Sequence, residues 1–180
     1  PAACLGRGSI TIDGVPRMRQ RPILSLVQAL RGLGVDIHCG DNGCPPVAIN
    51  AAGLPGGSAT IDGSQSSQFT SGLLLAAPLA AGPMHIQTSG VGVSAPYLHI
   101  TTEVMKAFGV VVAGDIRDGF RIPAPKPYTA CEYTVEPDAT AASYFLAIPA
   151  ITGGRVTVSG LGSTSIQGDV RFAECLSEMG

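Results

Sequence analysis

Three stretches place small hydroxyl or cationic residues where an apolar strand-like run hands over to a helical one. They are Asp13-Gly14-Val15-Pro16-Arg17-Met18-Arg19-Gln20-Arg21-Pro22, Asp62-Gly63-Ser64-Gln65-Ser66-Ser67-Gln68-Phe69 and Val93-Ser94-Ala95-Pro96-Tyr97. A helix N-terminus leaves backbone N–H groups unpaired and carries the positive end of the helix dipole, so hydroxyls and an Arg gathered there form a receptor for phosphate or carboxylate. In Ser66-Ser67-Gln68 two adjacent hydroxyls can each donate to a phosphate oxygen, and the Gln amide adds a donor or an acceptor. The same residues read equally well as an N-cap with a spare serine, worth about 1 kcal/mol to the helix. Arg17, Arg19 and Arg21 alternate ahead of Pro22, so at most one or two can point into a cleft and grip an oxyanion in a bidentate way. Ser94 suits a cap, and Tyr97 reads as well for a core ring with a wet tip as for a ligand contact. Asp138 and Asp169 stand near helix starts, where the dipole favours a carboxylate, and that reading outweighs a general-base role. Three such junctions in one chain suggest several helix starts aimed at one anionic ligand.

The rest of the composition narrows the possibilities. A hydrophobic share of 45% over 180 residues supports a packed core, in one sizeable domain or two small ones. With 13% charged residues and a net charge of −2, there is no general basic field for nucleic acid and no polybasic arm for an anionic membrane. No apolar run reaches the roughly 18 residues of a membrane span, because Leu73 to Ala81 is short and carries Pro78. Cys4, Cys39, Cys44, Cys131 and Cys175 are odd in number and lack Cys-x-x-Cys spacing, which signals neither a disulfide framework nor a zinc site. His38, His85 and His99 are scattered singly, so no metal is expected. Neither a Gly-x-x-x-x-Gly-Lys loop nor a Gly-x-Ser-x-Gly elbow occurs, and no cofactor is called for.

Strand-like and helical runs alternate from end to end, which predicts an α/β or α+β layer architecture. Strands are expected at Gly8 to Asp13, Val35 to His38, Val47 to Asn50, Met84 to Thr88, Val110 to Val112, Phe120 to Ile122, Cys131 to Val135 and Arg155 to Ser159. Ile23, Leu26, Val27, Leu30 and Leu33 recur at helical spacing, with Pro22 at an early position and Gly34 at the end. Further helices are expected from Ser66 to about Leu79, after Ser94, over Ala139 to Ile151 and from Phe172. The helix after Ser66 is apolar on nearly every side, as is the one over Ala139 to Ile151, a pattern that asks for neighbours all round. Thr60-Ile61-Asp62-Gly63 echoes Thr11-Ile12-Asp13-Gly14, and Lys106-Ala107-Phe108-Gly109-Val110 echoes Arg31-Gly32-Leu33-Gly34-Val35. Supersecondary units are therefore repeated without a strict period. Pro123-Ala124-Pro125-Lys126-Pro127 reads as a stiff connector, with a domain boundary near Glu136 and Pro137.

Taken in order, the Asp13 to Ile23 run, Gly63 to Phe69, Ser94 to Tyr97, Asp138-Ala139-Thr140-Ala141-Ala142-Ser143-Tyr144-Phe145 and Gln167-Gly168-Asp169 resemble successive motifs of the 5-enolpyruvylshikimate-3-phosphate synthase family. The resemblance spans nearly the whole chain. It implies a two-domain enolpyruvyl transferase fold of repeated βαβαββ units, present here incompletely: two units of the first domain over residues 1–136 and the opening of the second over 137–180. It implies a reaction in which the 5-hydroxyl of shikimate 3-phosphate attacks phosphoenolpyruvate and phosphate is then lost. On the matching positions Ser66, Ser67 and Ser94 would hold the shikimate phosphate, Gln68 and Tyr97 would lie along the shikimate, and Arg21 would bind phosphoenolpyruvate. Asp138 would line the cleft.

The family's N-terminal Lys and Ser, its Asn-Ala-Gly-Thr segment and its later acidic and cationic residues near the reacting centre have no match in this chain. The resemblance thus makes it the middle of an enzyme, inactive alone and a partner to the remainder, in the cytoplasm of a bacterium or the plastid of a plant or alga. Two other readings stand beside it: a non-catalytic domain that binds an anion or a partner chain, and a relative of the transferase acting on UDP-N-acetylglucosamine.

Overall fold

The computed structural model describes residues 1–90 and 95–180, and the chain divides into two compact units, Pro1–Cys131 and Glu132–Gly180. The first unit holds two sheets. In one, β1 (Arg7–Ile12) and β2 (Asp36–Cys39) flank β3 (Val47–Ala52), both antiparallel to it, with Ile10 and Ile37 each opposite Ile49. In the other, β4 (Gly57–Asp62) runs parallel to β5 (Met84–Ser89), which pairs antiparallel with β7 (Gly119–Ile122), and β6 (Ala113–Asp115) closes the edge. A parallel pair needs a crossover, and α2 (Ser67–Ala76) supplies it between β4 and β5. α1 (Leu24–Gly32) packs on β4 and β2, and α2 packs on α3 (Ala95–Ala107).

Alternation explains which side of each strand is buried. β3 alternates buried and exposed along its whole length, so Val47, Ile49 and Ala51 share one face. Met84 and Ile86 of β5 do the same, opposite Ile122 and Phe120 of β7. These meet Val27 and Leu30 of α1, Leu73 and Leu74 of α2 and Met105 of α3 in one continuous core. Burying a side chain of that size fully is worth about 1.5–3 kcal/mol. α2 buries Thr70, Leu73, Leu74 and Ala76 while Leu75 stays exposed, so its apolar character is only partly covered, and Pro78 turns its end into a 3-10 turn at Ala77–Leu79.

The two echoing helix exits are the same motif. After α1, Gly34 at φ +87° donates its N–H to Arg31 while Val35 donates to Leu30; after α3, Gly109 at φ +86° donates to Lys106 while Val110 donates to Met105. Both are Schellman closures, in which only glycine takes the left-handed position without strain. The segments that follow differ. β2 begins two residues after Gly34, but Val110 to Val112, expected as a strand, lies outside the sheet, and β6 begins at Ala113. The Val110 N–H is already spent on the helix exit.

Pro22 precedes α1 rather than standing inside it, because Ile23 is the capping residue and its N–H donates to the Gly43 carbonyl at 2.8 Å. The proline-rich connector runs over the helices: Lys126 N–H reaches the Pro78 carbonyl at 2.7 Å, and the half-buried Tyr128 donates its hydroxyl to Leu75 at 2.9 Å.

In the second unit α4 (Ala139–Thr152) and α5 (Phe172–Glu178) are the helices longer than one turn. The strands expected at Cys131 to Val135 and Arg155 to Ser159 are absent, since neither run finds a ladder partner and a strand exists only by pairing. α4 is apolar almost throughout, yet only Ala139 and Ala142 are buried. Tyr144 and Ile151 are 75% and 82% exposed, contrary to the expectation of neighbours on every side.

Candidate functional site

Both echoing Asp-Gly junctions are built around the carboxylate. Asp13, just past β1, accepts the Gly14 N–H at 2.8 Å and is gripped by Arg19 through Nε at 2.9 Å and Nη2 at 2.5 Å. Asp62, at the end of β4, accepts the Ser64 N–H at 2.9 Å and its hydroxyl at 2.6 Å. These donors hold both carboxyls below the usual carboxylate range, Asp13 chiefly through Arg19 and Asp62 chiefly through the Ser64 hydroxyl.

The loop after Asp62 leads into α2. Ser66 is its cap, in extended backbone at φ −169°, and its Oγ accepts the Gln68 N–H at 3.2 Å. Capping and ligand binding are compatible, because the hydroxyl accepts with a lone pair and keeps its proton to donate. Ser67 is the first helical residue, half-buried, and its hydroxyl makes no hydrogen bond to the described residues.

The loop after Asp13 forms a 3-10 turn at Met18–Gln20 that ends on Arg21. Of its three arginines, Arg17 donates to Gln20 at 3.3 Å and Arg19 is taken by Asp13. Arg21 has no side-chain partner among the described residues. It lines a groove of about 240 Å³ together with Ser66 and Gln68. The groove thus carries a free guanidinium on one wall and the capped start of a helix on the other, with Ile23, Pro45 and Phe69 as apolar lining. Such a site takes an anionic ligand with an apolar body.

Of the residues expected to bind ligand, Arg21, Ser66 and Gln68 are brought together, and Ser67 adjoins them in sequence without being part of the lining. Tyr97 stands in the first turn of α3, 52% exposed, and is not among the lining residues. Ser94 lies outside the described residues. Asp138 caps α4 in the second unit, its Oδ1 accepting the Ala141 N–H at 3.1 Å. Pro45 had no signal in the sequence; the β2–β3 connection carries it to the groove, tied by the Gly43 carbonyl to Ile23. Phe69 follows Gln68 and marked itself only by adjacency. Among the described residues no group of three or more His, Cys, Asp or Glu could hold a metal ion, and no helix is long and apolar enough to cross a membrane.

The fold is a mixed α/β one in which a strand-to-helix junction sets the Ser66 cap and the Arg21 guanidinium on the same groove. The family is then set by comparison: the model of the EPSP synthase family (3-phosphoshikimate 1-carboxyvinyltransferase) matches residues 1–180, and the chain belongs to that family. It is 49% identical over 181 residues to the 3-phosphoshikimate 1-carboxyvinyltransferase of Vibrio atlanticus (strain LGP32), an alignment that covers 99% of this chain and 42% of that protein. Identity to the proteins of the same name from Shewanella amazonensis (strain ATCC BAA-1098 / SB2B) and Sulfurovum sp. (strain NBC37-1) is 50% and 51%, again over 99% of this chain and 42% of each relative. The chain therefore spans less than half the length of these relatives. Its fold is like that of the EPSP synthase from Acinetobacter baumannii, with a TM-score of 0.67 and 24% identity over 81% of this chain and 32% of that one.

Proposed function

We propose that this chain supplies the shikimate 3-phosphate wall of an enolpyruvyl transferase. The complete enzyme moves the enolpyruvyl group of phosphoenolpyruvate to the 5-hydroxyl of shikimate 3-phosphate and releases phosphate. The observation that carries this reading is the meeting of Arg21 with Ser66 and Gln68 in one groove at the start of α2, in a chain of the EPSP synthase family. Ser66 and Ser67, with Ser94, offer hydroxyls to the phosphate dianion beside the open amides of the helix start; Gln68 and Tyr97 lie along the ring; Arg21 takes the carboxylate or phosphate of phosphoenolpyruvate. Asp138 is the residue that the family resemblance would put along the cleft of the complete enzyme.

The element order supports the larger architecture. From β4 to β7 the chain runs βαβαββ, and β1-α1-β2-β3 matches the closing part of such a unit. We read residues 1–136 as two repeats of a first domain, the earlier one incomplete, and 137–180 as the opening of a second. The strands and helices that would cover α4 then belong to the remainder of the enzyme. The relatives named are bacterial, which favours a cytoplasmic enzyme without a nucleic-acid or membrane partner.

The test is calorimetric titration of the complete enzyme carrying Ser66→Ala and Ser67→Ala. Hydrogen bonds to a charged group are worth about 1.5–3 kcal/mol each, so losing two weakens shikimate 3-phosphate about a hundredfold or more. Unphosphorylated shikimate should be held nearly as before. A double variant that melts lower but binds both ligands like the parent overturns the assignment.

A further inference from the structure

The sheet of β4 to β7 has a second face that the core does not use. Met84, Ile86, Phe120 and Ile122 are buried on one side, so Ser58, His85 and Arg121 stand on the other. His85 is directly opposite Ser58 on β4 and Arg121 on β7. Opposed residues of an antiparallel pair such as β5–β7 hold their Cβ atoms about 4.5–5.5 Å apart. The three side chains form one row, and all three line an open cavity of about 460 Å³ flanked by Pro83 and Pro123. This cavity shares no lining residue with the Arg21 groove: Gly57 and Ser58 begin β4, and the groove lies past the other end of that strand, at Gln65 and Ser66.

Each member of the row presents a donor. Arg121 is exposed, and neither its guanidinium nor the Ser58 hydroxyl has a hydrogen-bond partner among the described residues. The two nitrogens of the half-buried His85 differ. Nε2 is sealed without a partner against Gly119, so closely that a Cβ there would stand 2.7 Å from it, while Nδ1 is left open. A proton on Nε2 would have no acceptor, so the neutral ring carries it on Nδ1 and the open nitrogen is an N–H. No carboxylate lines the cavity. Asp115, on the same face and opposite Gly119, spends its Oδ1 on the N–H groups of Arg117 and Asp118.

We propose that this cavity is a second anion site, which takes a small monocarboxylate with an apolar body. One guanidinium matches a single carboxylate charge through two parallel hydrogen bonds, the Ser58 hydroxyl and the His85 N–H add neutral donors, and the proline rings at the strand ends receive the body. The site is independent of the shikimate 3-phosphate reading.

Sodium benzoate is the probe, titrated into the complete enzyme and followed by ligand-observed NMR. It should saturate with a Kd on the order of 1 mM, as suits a small ligand held by one charge and a few donors. Arg121→Gln should weaken it at least about tenfold, and His85→Phe, which keeps a ring and loses the N–H, several-fold. Should Arg121→Gln fail to fold in a thermal melt, Arg121→Lys, which keeps the charge and loses the fork, takes its place and should still bind more weakly than the parent. Benzamide has the same shape without the charge and should bind at least about tenfold more weakly than benzoate. No saturation by about 20 mM benzoate, or an unchanged affinity in Arg121→Gln, overturns the site. Binding that is lost in Arg21→Gln and kept in Arg121→Gln places benzoate in the other groove and overturns it too, as does benzamide binding as tightly as benzoate. Nitrogen NMR of the labelled histidines reads the tautomer directly: a neutral His85 ring protonated on Nδ1 supports the donor set, and one protonated on Nε2 overturns it.

Discussion

Arg19 closes on Asp13 through two nitrogens, at 2.9 Å and 2.5 Å, and so ties the 3-10 turn that ends on Arg21 back to the end of β1. The pair is exposed, so its direct contribution to stability is small. Its consequence is geometric. With Arg19 occupied and the turn anchored, Arg21 is the arginine of the three left free to face the groove.

Asp13→Ala should therefore weaken phosphoenolpyruvate binding in the complete enzyme by several-fold or more while moving the melting temperature little, since the anchor preorganises Arg21 and stabilises little else. Titration beside a melt checks this. A large fall in melting temperature with unchanged affinity would mean that the ion pair serves the fold instead.

Ser66 and Ser67 should separate by stability. Ser66→Ala removes the bond accepted from Gln68 N–H and should cost about 1 kcal/mol in urea unfolding, while Ser67→Ala, whose hydroxyl is not used within the fold, should cost less than about 0.5 kcal/mol. Equal losses would show that Ser67 has a structural partner in solution.

The exposed face of α4 predicts self-association of the 180-residue chain. Tyr144, Phe145, Ile148 and Ile151 are 75%, 57%, 47% and 82% exposed, a run of large apolar side chains that water does not tolerate in a monomer. Light scattering should report oligomers that shrink when Phe145 and Ile151 are changed to Ser. Monodisperse monomer from the parent chain would contradict the exposure.

Stability should hold a plateau between about pH 5 and 8. Asp13, Asp62, Asp115 and Glu136 all sit below their ordinary range because hydrogen bonds favour the ionised form, from Arg19, the Ser64 hydroxyl, the Arg117 N–H and the Ser165 hydroxyl respectively. Their contribution is complete above the unfolded carboxylate value of about 4 and is lost as pH falls through the lower folded values. At the other end, burial raises the Cys4 thiol and the Tyr128 hydroxyl, so their contribution is complete below the unfolded values and is lost as pH rises toward the folded ones. Urea midpoints from pH 3 to 10 should fall at both ends, and a midpoint still rising below pH 4 would refute the carboxylate assignments.

Local chemistry alone determined a good part of this protein. The Schellman exits at Gly34 and Gly109, the Ser66 cap, the helical spacing through Leu30 and the alternation in β3 all depend on neighbours within a few residues, so their pattern is readable along the chain. Tertiary structure decided what depends on distant partners. Val110 is not a strand residue because Met105 already holds its N–H, and the runs at Cys131 and Arg155 are not strands because nothing pairs with them. Pro45 reaches the groove because a hairpin connection folds back on Ile23, and the choice of Arg21 among three arginines was made by Asp13 and Gln20. Gln167 meets the Pro137 carbonyl and the Ala139 N–H across a span that no local period encodes. A hydrogen bond or an ion pair is specified by geometry at both ends, and a sequence states only the chemistry of each end.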